Sequence, residues 1–256
     1  MAVIHTPDGQ WIVLDAGRDA EDAAIMVDHF RATSIVLAIG SHRHADHIGG
    51  MPDLINALPV RLYVGDTART EFRSLSTTML RRRIRQRRVR VQLPGADTID
   101  VGEVRLILLP QLPKDVANEN NNSIVVRLEY AGFSMLFPGD AEHEEQQWLL
   151  RFYPELLDVD VLEAAHHGAD NGVSPGWLEA VSPDAVVMSA GVNARYGHPG
   201  AVAVAEYEAA VGGEVYCTNR QGDVTIDVSD AGNYDITTEV ESTTSCAYDG
   251  TGRDGG

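Results

Sequence analysis

"SHRHADHIGG", Ser41–Gly50, places three histidines and an aspartate within six consecutive positions (His42, Arg43, His44, Ala45, Asp46, His47) and closes on two glycines. It follows "TSIVLAIG" at 33–40, an apolar run whose length and β-branched content suit a buried strand. Residues two apart in an extended segment point the same way, so His42 and His44 converge on one ion. Asp46 and His47 lie where the next helix begins, and the turn of the chain there faces them toward a second ion. Imidazole nitrogens and carboxylate oxygens together suit zinc, manganese or iron. A polar loop with chance histidines is the plainer reading, and the density of ligand types directly after a buried strand argues against it.

Working outward, "VIHTPDGQWIVLDAG" (3–17) reads as a hairpin around a Pro-Asp-Gly turn. Helical patterns are expected at 20–30, at 49–58 and over a basic stretch at 67–88, with a strand at "VRLYV" (60–64). Strand-like runs follow at 88–93, 103–109, 122–130 and 133–137, the last two joined by Ala131–Gly132. Beyond them, helices at 141–153, 174–181 and 200–212 alternate with strands at 158–164, 184–191, 214–218 and 223–228. This interleaving predicts a layered α/β domain of mixed sheets covered by helices over residues 1–241. The polar, Gly-rich 242–256 is expected to be a disordered tail.

Composition bounds the function. The chain has 256 residues, 44% of them hydrophobic, enough for a sizeable core. A net charge of −18 excludes a surface that attracts nucleic acid everywhere. Yet seven of the 20 basic residues are arginines inside "RRRIRQRRVR", 81–90. They suit either contacts to phosphates or a solvated helix face paired with the many acids. The single lysine, Lys114, reads as coding bias. Cys217 and Cys246 form no disulfide framework and no zinc knuckle, the start lacks the pattern of a signal peptide, and no apolar run approaches the ~20 residues of a membrane span. A reducing cytoplasm is the expected setting.

His-x-His-x-Asp-His after a strand, then Gly-Gly, resembles the signature of the metallo-β-lactamase fold. That resemblance implies a four-layer αββα sandwich of two mixed β-sheets with one or two metals along one sheet edge. In "FSMLFPGDAEHEE" it implies that Asp140 bridges two metals. The residue type alone also suits a helix N-cap. Where "DVDVLEAAHHGAD" ends a strand, the family has one terminal ligand histidine. By analogy His167 is the first choice, with His166 as its alternative or supporting partner. The family's third-motif histidine is missing, and "NENNNSIVV" stands in its place, offering Glu119 and the amides of Asn120–Asn122.

"NNNSIVVRLEYAGFSMLFPGDAE", "DVDVLEAAHHG" and "NARYGHPGAVAV", in that order, are similar to the C-terminal domain of ComEC-type competence DNA-uptake proteins and their free-standing relatives. Two departures stand out: these 256 residues contain no membrane channel, and His44 replaces an acidic residue found in many members. The resemblance implies a phosphodiesterase or nuclease acting on a phosphate-containing substrate, DNA among the candidates. It also implies a substrate pocket built from Asn122, Ser123, Asn193, Arg195 and Tyr196. Two divalent ions, zinc first and manganese second, would hold a bridging hydroxide as nucleophile. Asp46 would orient it, and His198 would donate to a phosphoryl oxygen or the leaving group. Alternatives are hydrolysis of a small phosphoester or lactone, and a non-catalytic metal- or nucleic-acid-binding module with a decayed site.

Overall fold

The structure, a computed structural model, describes all residues except 69–73, 114–117, 192–195, 213 and 250–256. One sheet has five strands in sequential order: β1 (Ala2–His5), β2 (Trp11–Leu14), β3 (Ile35–Ile39), β4 (Val60–Val64) and β5 (Arg90–Gln92). Only β1–β2 is antiparallel. The second sheet has seven: β6 (Asp97–Val101), β7 (Val104–Leu108), β8 (Val126–Tyr130), β9 (Phe133–Phe137), β10 (Val161–Glu163), β11 (Ala185–Met188) and β12 (Val215–Cys217). They lie in the order β12-β11-β10-β9-β8-β7-β6, parallel from β12 to β9 and antiparallel from β9 to β6. A separate hairpin, β13 (Val224–Val228) and β14 (Tyr234–Thr238), adds apolar side chains to the edge of the inter-sheet core.

Alternating side chains create the layers. Ile12, Leu14, Leu37 and Ile39 of the first sheet meet Met135, Phe137, Val161 and Val187 of the second in a shared core. Val13, Ala38 and Tyr63 point the other way, under α1 (Glu21–Ala24, continued by a π turn over Ile25–His29), α2 (Ala45–Ile48), α3 (Met51–Ala57) and α4 (Leu75–Arg87). Leu136, Leu162, Val186 and Met188 pack outward with α5 (His143–Phe152), α6 (Trp177–Val181) and α7 (Ala201–Ala210), and a short α8 (Thr218–Gln221) follows β12. This is the four-layer αββα sandwich of two mixed sheets. Among the described residues no helix is long and apolar enough to cross a membrane.

Several sequence expectations are corrected. The basic helix, expected over 67–88, is Leu75–Arg87, because Ser74 caps it by accepting the Thr77 N–H at 3.0 Å while Thr77 Oγ1 accepts the Ser74 N–H. The strand expected from Asn122 starts only at Val126, because Asn120–Asn122 form a 3-10 turn. β6 and β14 were not anticipated. Both lie at a sheet edge or in a separate hairpin, where solvent-facing Asp and Thr dilute the apolar alternation. The two cysteines do pair, as Cys217–Cys246, so the case for a reducing compartment loses its ground. Of the expected tail, 250–256 lies outside the described residues, and 242–249 makes contacts with the domain. Cys246 is buried, Asn219 donates to its carbonyl, and the Tyr248 N–H donates to the Pro199 carbonyl at 2.8 Å.

Candidate metal centre

All the ligand-type residues come from the C-terminal ends of β2, β3, β9 and β10, which lie side by side across the two inner sheet faces. After β3 the chain bends at His42–His44 rather than staying extended as the sequence reading expected, and His44, itself with extended φ/ψ, precedes α2, which carries Asp46 and His47. The two glycines that follow let α2 approach the 16–19 loop after β2. A Cβ on Gly49 would lie 2.0 Å from the Arg18 carbonyl oxygen, and one on Gly50 would lie 2.1 Å from that of Ala16. The Ala16 N–H reaches the His47 carbonyl at 2.7 Å, tying the β2 end to α2.

Two groups of ligand atoms result. His42, His44 and Asp140 form one, and Asp46, His47 and His167 the other, each with its donor atoms within 4.8 Å of one another. Asp140 stands between them. Its Oδ2 lies 3.6 Å from His42 Nε2, and its Oδ1 lies 3.0 Å from His47 Nε2 and 3.8 Å from His167 Nε2. The atoms fit a cation. His47 Nε2, His167 Nε2 and Asp140 Oδ1 are buried and face one another; His47 and Asp140 meet as an ion pair at 3.0 Å, while His167 Nε2 has no hydrogen-bond partner. Buried polar atoms are otherwise almost always satisfied.

Supporting groups aim these ligands. Asp15, at the end of β2 in a left-handed conformation (φ 55°), accepts from His47 Nδ1 at 2.7 Å, from the Ser41 N–H at 2.7 Å and from Ser41 Oγ at 2.8 Å. A carboxylate only accepts, so His47 Nδ1 carries the proton and Nε2 turns to the centre. His167 donates Nδ1–H to the Ser189 carbonyl at 2.8 Å, again leaving Nε2 inward. His166 and His167 both adopt positive φ (50° and 57°), which swings their rings apart. The structure brings His167 into the second group and sets His166 beside it, with Nδ1 3.1 Å from Asn171 Oδ1 and 3.3 Å from Glu142 Oε1, and Nε2 3.7 Å from Asp140 Oδ2. The Asp140 N–H donates to Ser123 Oγ at 3.0 Å.

Charge and burial are strongly coupled here. Burial alone would raise the Asp140 carboxyl, but the charges of His47 and His42 hold it well below the ordinary carboxylate range. Burial would lower His47, and Asp140 and Asp15 outweigh it and raise its pKa well above the usual imidazole value. Burial, then the charge on His47, holds His42 well below that value, and burial likewise lowers His167. Neutral imidazoles are the form that binds metals, so His42 and His167 are ready for an ion, whereas His47 would release a proton on binding one.

The remaining expected residues divide. His198 is half-buried, its ring 5.2 Å from His166 and 6.1 Å from that of exposed Tyr196. Asn193 and Arg195 lie outside the described residues. Ser123 is fully buried and its Oγ accepts the Asp140 N–H, so it positions that residue. Asn122 points its amide at the Asn118 carbonyl at 3.2 Å. The Asn-rich turn supplies braces where the third histidine is absent: Asn120 and Asn121 donate to Glu142 and Glu144, both at 2.6 Å. Glu119 clasps Arg43 through two bonds of 2.7 Å.

Sequence reasoning missed Asp15, Glu163 and Ser189. The first two are acids at the ends of apolar strands, the same signal that marked the other ligands. Glu163 lines the cleft beside Asp15, Asp46, Asp140 and His167, and burial pushes its carboxyl up to about 7.

An αββα sandwich whose inner strand ends gather two His/Asp groups around one shared carboxylate defines a metal-binding class. The chain belongs to the metallo-beta-lactamase superfamily, whose sequence pattern matches residues 1–192. It is 31% identical over 109 residues to ComE operon protein 3 of Bacillus subtilis (strain 168), covering 42% of this chain and 14% of that one. It is 27% identical over 200 residues to Recombination protein 2 of Haemophilus influenzae, covering 75% and 23%. The chain thus spans less than a quarter of either relative. Among solved structures, a diphosphatase of the PhnP family superposes with a TM-score of 0.42 and 16% identity, over 71% of this chain and 68% of that one.

Proposed function

We propose that this chain is a metal-dependent phosphodiesterase of nuclease type, acting on a phosphate-containing substrate that includes DNA. The observation that carries the reading is Asp140, which turns one oxygen to each ligand group. Matches to Recombination protein 2 and to Competence protein ComA of Neisseria gonorrhoeae (34% identical over 92 residues) support a nucleic-acid substrate. Two divalent ions, zinc or manganese, would supply Lewis acidity to a phosphoryl group and acidity to water.

The chain's own residues do the rest. His42, His44 and Asp140 hold one site, and Asp46, His47 and His167 the other. Asp15 and Ser189 keep two imidazoles aimed, so no reorganisation is needed when substrate arrives. Asp46, half-exposed, is placed to orient an attacking water. Burial, then His166 and His167, lowers His198, so its neutral ring offers an N–H to a phosphoryl oxygen. Tyr196 beside it gives an exposed face for a sugar or base.

The test is metal analysis of the purified chain with turnover of bis-p-nitrophenyl phosphate. Wild type should carry close to two equivalents of metal and turn over the diester. Asp140→Asn, which keeps the shape and removes the shared charge, should lose metal and more than about a hundredfold in kcat/KM, beyond the ~10–100-fold typical of outer supporting groups. A metal-free, inert wild type overturns the reading.

A further inference from the structure

α4 carries a positive face that the metal centre does not use. No acidic residue occurs from Leu75 to Ala96, in a chain with 38 acids, while seven arginines lie within 81–90. Were these side chains a solvated face balanced by acids, carboxylates would reach them. Among the described residues none lies within ion-pair distance of Arg82, Arg85, Arg87 or Arg88. Arg83 bonds Gln86 instead, and Arg87 bonds the Asn56 side chain at 3.0 Å. Arginines in a last helical turn offset the helix dipole, which accounts for Arg85 and Arg87 but not for Arg82 or for the lack of acids.

The placement is directional. β4 and β5 are parallel, so α4 between them runs antiparallel to both. It starts at the edge where β3 and β4 end, the edge of the metal centre, and finishes at the opposite edge. Arg43 of the histidine motif reaches Asp66 after β4 at 3.8 Å, and Arg81 donates to the Thr67 carbonyl at 2.7 Å. From there the second half of the 13-residue helix carries its arginines away over about 10 Å. A small diester at the metal centre has no use for such a track. A polymer has.

We propose that the outer face of α4, with Arg82, Arg85 and the C-terminal Arg88, holds the sugar–phosphate backbone of a nucleic-acid strand whose end or loop enters the metal centre. Guanidinium forks match phosphate oxygens bidentately. Leu75 and Met79, 76% and 42% exposed on the same side, give the strand apolar surface nearer the site. The consequence for turnover rests on the phosphodiesterase reading, and the binding itself does not.

The test is fluorescence anisotropy of labelled single-stranded DNA and RNA oligonucleotides with the full chain, across salt from about 50 to 200 mM. The triple variant Arg82→Gln/Arg85→Gln/Arg88→Gln should bind at least about tenfold more weakly at low salt, with a log–log salt slope shallower by about 2. Arg82→Lys/Arg85→Lys/Arg88→Lys should retain most of the affinity. So should Arg31→Gln/Arg105→Gln/Arg151→Gln, which removes equal charge elsewhere. Bis-p-nitrophenyl phosphate turnover should be unchanged in all three, which separates a failure of this surface from a failure of the hydrolase. Stronger binding of DNA than RNA, or the reverse, identifies the source of the backbone. Equal binding by wild type and the Gln triple overturns the proposal, as does binding of anionic phosphatidylserine vesicles without binding of either oligonucleotide.

Discussion

Asp15 shows how much of the centre depends on a residue that holds no ligand position. It accepts three hydrogen bonds, from the Ser41 N–H, Ser41 Oγ and His47 Nδ1, and does so from a left-handed backbone. A non-glycine residue at positive φ costs about 1–3 kcal/mol and persists where surroundings over-determine it. Those surroundings are the β3 backbone, whose Ile39 carbonyl accepts the Asp15 N–H at 2.8 Å, and the histidine motif itself. Asp15→Asn keeps the size but replaces an acceptor with an amide, freeing His47 to turn. Its metal affinity should fall by about 10–100-fold with the fold intact. Calorimetric titration of zinc into apo-protein, alongside circular dichroism, checks this; unchanged affinity would remove Asp15 from the centre.

On α5, an element that only faces the site, Glu145 is fully buried and neither carboxylate oxygen has a hydrogen-bond partner. Burial pushes its pKa well above the ordinary value of 4.5, and the Ser123 N–H, already given to the Asn120 carbonyl, opposes only in part. The sign follows from proton counting. Between pH 4.5 and the folded pKa the unfolded chain has lost the proton and the folded chain keeps it, so stability falls as pH rises. Glu145→Gln cannot ionise. Its stability relative to wild type should therefore grow from pH 5 to pH 8, read from thermal melts in matched buffers. A difference that stays flat with pH would show that Glu145 is paired or solvated.

At the scale of the whole molecule, the Cys217–Cys246 disulfide closes a loop with a sequence separation of 29, and through Cys246 it holds residues 242–249 against α8 and Pro199. Chain entropy alone makes such a loop worth about 3–4 kcal/mol. Cys217→Ser/Cys246→Ser should lower Tm by about 6–15 °C in a domain of this size. Wild type heated under reducing conditions should fall to the same Tm. If reduction leaves Tm unchanged, the C-terminal segment is held by its hydrogen bonds and packing alone. The His198 loop, which abuts this segment at Pro199, should show a larger loss of turnover than loss of metal in the same variant.

What the residues determined by themselves was the kind of chemistry and the architecture around it. Three histidines and an aspartate after an apolar run mark a strand end with ligands, because buried strands are apolar and period-two geometry brings alternate side chains together. The alternation of strand and helix patterns then calls for layers. Asp140 and the His166–His167 pair also close apolar runs, but their roles were legible only through the resemblance to the metallo-β-lactamase fold. Which atoms meet was decided only by the tertiary structure. No local pattern reports that Asp15 and Ser41 lie beside His47, that Ser123 is spent on the Asp140 backbone, or that Glu119 is committed to Arg43 from 76 residues away. The disulfide was invisible for the same reason, since two cysteines 29 apart pair only if β12 and the C-terminal segment pack together. The opening decapeptide is incomplete alone. Its division of donors into two pairs could be read locally, but Asp140, which stands between them, arrives from a strand of the other sheet.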